Sequence, residues 1–120
     1  MIRHGEAPFL ECSSRGDKRF SAFYAKIHGT TIEELYQSKK VFEDGSTGLS
    51  IKEAKGKKAI NQEECADYYS QLWDYYIYTL NPNLIDVLRS ASGLSDTFGQ
   101  KGHCCQATEL WRIKKEVTPC

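Results

Sequence analysis

Glu33, Gln37 and Lys40 stand at i, i+4 and i+7 in the segment TIEELYQSKKVF. On a helix that spacing brings a carboxylate, an amide and an ammonium onto one face, about a turn apart. One group accepts hydrogen bonds, one both accepts and donates, and one donates with positive charge. Such a trio suits a small-molecule site when aromatic rings lie beside it, and FSAFY sits just upstream. The same spacing also fits a solvated helix face, whose contacts contribute only about 0.2–0.5 kcal/mol each. Both readings stand until the surroundings of that face are known.

Other groups with chemical potential fall on either side. Lys39 lies among the apolar positions Ile32, Leu35, Tyr36 and Phe42, so its head is expected to snorkel or to meet an anion. Lys52, Lys55, Lys57 and Lys58 surround Gly56, and Arg15, Lys18 and Arg19 precede Phe20. Basic side chains beside a glycine can hold a phosphate, although solvated lysines are the plainer account. With sixteen basic and sixteen acidic residues in balance, two such clusters suit a diphosphate or phosphoribosyl ligand better than a polyanion.

Ser95-Asp96-Thr97-Phe98-Gly99 sets a carboxylate and a ring in a glycine-flanked loop, a composition shared by binding loops and ordinary turns. The tyrosine run from Tyr68 to Tyr78, with Trp73, reads mainly as core packing. Arg3-His4-Gly5-Glu6 copies the phosphate-binding string of histidine phosphatases. Only Met1 and Ile2 precede it, so no strand is expected to hold His4, and chance accounts for the match. His103-Cys104-Cys105 lacks the CxxC or HxxxH partners of a zinc site. The five cysteines have no scaffold spacing, and reduced, mostly buried thiols are expected, with no metal or cofactor required.

These groups must be carried by a modest framework. The 120 residues amount to one domain, and 40% hydrophobic with 12% aromatic content predicts a packed core. No apolar run can span a bilayer, and MIRHGEAPFL lacks the apolar core of a signal peptide, which predicts a cytoplasmic location without membrane attachment. Residues 8–12 read as a strand, and 20–27 as a second strand closed by His28-Gly29. Thr30 or Thr31 then caps the helix bearing Glu33. Ser50 caps a short helix limited by Gly56. Asn61 starts the strongest helix, and Asn81-Pro82 ends it, with Pro82 at the first position of the next. Residues 94–105 read as loop, and 107–117 as a final helix or strand. The expectation is a helix-rich α+β domain over 1–120, with 1–19 as an N-terminal strand and turn and 20–117 as the core.

Taken in order, the pieces resemble the NADAR family, associated with NAD and ADP-ribose metabolism. Phe20-Ser21-Ala22-Phe23 is similar to its FSNF-like segment, and Glu33, Gln37 and Lys40 to its Glu-x-x-x-Gln helix with a following lysine. Ala54-Lys55-Gly56-Lys57, the helix with Trp73, Asn81 to Leu88, and Asp96-Thr97-Phe98-Gly99 resemble later motifs, and Gly102 to Gln106 a final turn. Ala22 replaces the usual asparagine, Phe98 stands where tryptophan is common, and the chain is compact.

The resemblance implies a NADAR-like fold and hydrolysis of a C1′–N bond in an ADP-ribosylated base or a phosphoribosyl-amine nucleotide. ADP-ribosylated nucleic acid is a further partner it admits. It implies Glu33 as the carboxylate that stabilises an oxocarbenium-like sugar or positions water, with Asp96 as the second acid. Gln37, Lys39 or Lys40 would assist the leaving base. Phe20, Phe23, Tyr36, Trp73 and Phe98 would wall or stack on the ligand, and Lys55, Lys57 or Arg19 would hold phosphate. The alternative is a non-catalytic module on the same fold that binds an ADP-ribose-like nucleotide or a protein.

Overall fold

The computed structural model describes residues 1–54, 56–99 and 104–119. Its centre is a strand the sequence does not announce. β5 (Gly93–Asp96) is buried along its whole length, between β1 (Ile2–Gly5), which is antiparallel to it, and β2 (Phe9–Glu11), which is parallel. The expected loop over 94–105 therefore begins as the middle of a sheet. Its GLSD sequence has one large apolar residue and no β-branched one, so only pairing on both edges makes it a strand. A side chain at Gly93 would sit 2.7 Å from the Phe9 ring and 2.9 Å from the His4 carbonyl, so the three strands close only over a glycine.

The N-terminal expectation is also corrected, because His4 does lie on a strand. That strand is a sheet edge running antiparallel, and the His4 ring stacks on Trp111 at 5.9 Å with Nε2 3.0 Å from Thr108 Oγ1. This is unlike the buried parallel strand end that a phosphatase histidine needs.

Residues 20–27 differ from the expected strand. Lys18–Phe20 forms a 3₁₀ turn, Tyr24 and Ala25 donate back to the Ser21 carbonyl, and only β3 (Lys26–Ile27) pairs as a strand. It pairs with β4 (Thr30–Thr31) across His28 and Gly29, which adopt φ of 50° and 87°. α1 (Ile32–Lys39) follows, then α2 (Ile51–Ala54) with Ser50 at its start. α3 (Gln62–Asp74) continues into a π-helical turn, Tyr75–Leu80. Asn61 precedes α3 without a side-chain capping bond. Its amide instead accepts from Val41 N at 2.9 Å and donates to the Lys39 carbonyl at 3.0 Å, tying down the end of α1. α4 spans Leu84–Ser90, so Pro82 lies in the preceding turn rather than at the first helical position. α5 (Gln106–Val117) resolves the last element as a helix.

The result is a helix-rich α+β fold around one main core reaching from Cys12 to Ile113. Trp73 is 0% exposed and meets Tyr69 and Tyr76 edge-to-face at 6.4 and 5.5 Å. A satellite cluster of Phe42, Ala54 and Ala59 sits beneath α2. No helix among the described residues is long and apolar enough to cross a membrane.

Candidate active site

Glu33 owes its position to the turn before it. Thr31 Oγ1 accepts from Glu34 N at 3.2 Å, while Ile32 N and Glu33 N donate to the Ala25 and Ala22 carbonyls at 2.9 and 3.0 Å. The orphan donors of the first helical turn are thereby satisfied, and fully buried Ile32 anchors the helix. Gln37 Nε2 donates to Glu33 Oε1 at 2.8 Å, the i, i+4 contact expected from spacing. Burial raises the Glu33 carboxyl above its usual 4.5, while the Gln37 hydrogen bond and the Lys40 charge pull it down. Lys40 follows the helix on extended backbone, its ammonium 5.1 Å over the Tyr36 ring. Lys39 meets an anion, as expected, with Nζ 3.1 Å from Glu64 Oε1.

Asp96 ends β5 and is 4% exposed. Its Oδ1 accepts from Phe98 N at 3.0 Å, and its Oδ2 accepts from Gln106 Nε2 at 3.0 Å and Cys105 Sγ at 3.5 Å. Gly99 lets this loop turn back tightly, since a Cβ there would lie 2.8 Å from Ile2 Cγ1 and 3.2 Å from Asp96 Cβ. Glu11 supports the loop from below. It accepts from Ser95 Oγ at 2.6 Å, Thr97 N at 2.9 Å and Ser13 N at 3.2 Å. Burial alone would raise its pKa, but these donors outweigh it and lower the carboxyl to about 2.

Glu33 and Asp96 line one pocket of about 240 Å³ with Phe23, Tyr69, Phe98 and Gln106. Phe23 and Phe98 are 50% and 57% exposed, and the Arg15 guanidinium lies 5.3 Å over the Phe98 ring. Cys104 also lines this pocket, and it borders a second cleft of about 770 Å³. That cleft carries Tyr36, Gln37, Lys40, Lys57 and Lys58 and has no carboxylate among its described lining residues. An acid-lined pocket and a lysine-lined cleft thus meet at one residue.

The predicted site residues divide accordingly. Glu33, Asp96, Phe23 and Phe98 share the pocket, while Tyr36, Gln37, Lys40 and Lys57 share the cleft. Phe20 and Trp73 are both 0% exposed and belong to the core, so neither can stack on a ligand. Arg19 is engaged by Asp17, with Nε–Oδ1 3.0 Å and Nη2–Oδ2 2.7 Å, leaving it poorly disposed to hold phosphate. One N–H of the Gln37 amide is given to Glu33, which leaves its second N–H as the group's remaining donor to a leaving base. Lys55 and His103 lie outside the described residues. Among those described, no three His, Cys, Asp or Glu side chains are grouped to hold a metal ion.

Sequence reasoning missed Ser14, Cys104 and Gln106 as lining residues, and nothing local marks them. Tyr69, read mainly as core with a pocket wall as the alternative, lines the pocket while remaining buried. No family model, curated protein or solved structure matches the chain. Fold and site define a class all the same: an α+β domain with paired acids in an aromatic-mouthed pocket joined to a cationic cleft.

Proposed function

We propose that the protein is an N-glycosidase of NADAR-like fold, hydrolysing the C1′–N bond of an ADP-ribosylated base or phosphoribosyl-amine nucleotide. The supporting observation is the junction itself: Glu33 and Asp96 face one pocket that abuts a cleft bearing Lys40, Lys57 and Lys58. A phosphorylated ribose spanning the junction would set its phosphate among the lysines and its anomeric carbon near Glu33. The base would then leave past Phe23 and Phe98. The cleft's size falls within the roughly 300–1,000 Å³ typical of small-molecule sites.

In this mechanism Glu33 stabilises the oxocarbenium-like sugar as the C1′–N bond breaks and orients the attacking water. Water adds to C1′, and its proton is taken up by solvent or the departing base. Lys40 stands ready to assist the leaving group or a phosphate. Asp96 braces the pocket wall, since both its oxygens already accept N–H donors.

The test is release of free base from an ADP-ribosylated nucleoside and from a phosphoribosylamino-pyrimidine. Glu33→Gln is expected to lower kcat by about 10³-fold or more with the circular dichroism spectrum unchanged. Full turnover in that variant overturns the assignment of Glu33. The binding-module alternative is favoured by two observations, the engagement of both Asp96 oxygens by protein donors and the absence of a polar side chain at buried Ala22. Tight calorimetric binding of ADP-ribose with no base release would select it.

A further inference from the structure

Gln106 is tied to both acids of the pocket. It opens α5 and is 6% exposed. Its Oε1 accepts from Ala22 N at 2.7 Å, and its Nε2 donates to Asp96 Oδ2 at 3.0 Å. The orientation of the amide is forced. A backbone N–H can only donate, so the carbonyl end must face Ala22, and the amino end is left for the carboxylate. Ala22 passes the constraint on, because its own carbonyl accepts from Glu33 N at 3.0 Å.

We propose that Gln106 is the positioning residue of the pocket, setting Glu33 against Asp96 through the backbone of Ala22. An amide buried only for packing would satisfy two partners and stop there. Here one partner is a pocket acid and the other leads in a single further bond to the second. The turn that carries Phe23 to the pocket mouth is fixed by the same bond at Ala22. Without a polar side chain of its own, Ala22 can take part only through backbone, so its N–H depends on Gln106. A buried donor left without an acceptor is costly, and the turn would shift to relieve it. Among the described residues, the ionisable groups around Gln106 are Asp96 and Cys105, with Glu33, Tyr69 and Cys104 lining the same pocket.

The kinetic consequence rests on the glycosidase reading, whereas the structural one does not, and the experiment separates them. Amide hydrogen exchange on Gln106→Met is expected to lose protection at Glu33 as well as at Ala22, although the Gln106 hydrogen bonds go to Ala22 and Asp96 and not to Glu33. Loss confined to Ala22 overturns the proposal. In turnover, kcat falls about 10- to 100-fold while KM stays within about twofold.

Gln106→Glu keeps the acceptor for Ala22 but, when ionised, sets a second carboxylate against Asp96. Once protonated, its O–H donates as the amide did. Its kcat relative to wild type at the same pH is therefore expected to recover between about pH 8 and about pH 5.5. A flat ratio across that range, or wild-type kcat in Gln106→Met, overturns the proposal. Should Gln106→Met not fold, Gln106→Asn, whose amide is one methylene too short to reach both Ala22 and Asp96, carries the exchange measurement. A wild-type protein that releases no base defeats the glycosidase reading alone, and exchange at Glu33 still decides for Gln106.

Discussion

Two glutamates show how surroundings give one side chain type opposite roles. Glu11 sits where three donors converge and is held at about 2, against a usual 4.5. Its ionised form is the native one, so its contribution to stability is full above the unfolded value and lost as pH falls through the folded one. Glu11→Gln is expected to lower the thermal midpoint at neutral pH. Its gap to wild type should narrow from about pH 4.5 to about pH 2, read by circular dichroism melts. A constant gap would mean that the donors act on shape alone. Glu33 has the reverse sign. Burial raises its pKa, so the neutral form is the better folded one, and stability declines as pH rises through that raised value. Glu33→Gln is thus expected to lose turnover while holding or raising the melting midpoint at neutral pH. The gain should vanish in acid, where both proteins are uncharged at that position. A substantial drop in midpoint would assign Glu33 to structure instead.

At the scale of elements, α1 matters less for its own strength than for where its first turn is tied. Eight residues are too few for a helix to persist alone, so its register depends on Thr31 and on the Ala22 and Ala25 carbonyls. Thr31→Ala is expected to cost about 1 kcal/mol in chemical unfolding, and Thr31→Ser is expected to restore most of it. No loss in Thr31→Ala would show that the backbone bonds suffice. β5 makes the same point from the strand side. GLSD reads as loop because strand propensity is low, yet pairing on two edges and burial on both faces determine it. Asp96 reaches the pocket only because that strand ends there.

Across the whole molecule, positive charge is concentrated rather than excessive. The chain is neutral overall, but the cleft holds Lys40, Lys57 and Lys58 without a carboxylate among its described lining residues. Lys57 rests its ammonium 5.6 Å over the Phe42 ring, which orients it without neutralising it. Lys57→Ala and Lys58→Ala are each expected to weaken inorganic pyrophosphate binding by about tenfold in calorimetry, with little change in melting temperature. The wild-type affinity should also fall with added salt. Unaltered affinity in the double variant would remove the cleft as an anion site.

Residue types and local spacing were enough for much of this protein. The Thr31-capped helix, the Glu33–Gln37 contact and the aromatic packing of α3 follow from interactions within a few residues. Such interactions are written in spacing because a helix brings i and i+4 together wherever it lies in the fold. Tertiary structure alone decided that Gly93–Asp96 is the central strand and that Phe20 is sealed in the core. It also decided that Gln106 spans the gap between Asp96 and Ala22. Burial and pairing across some eighty positions leave no local period, so these features arise only when the chain closes on itself.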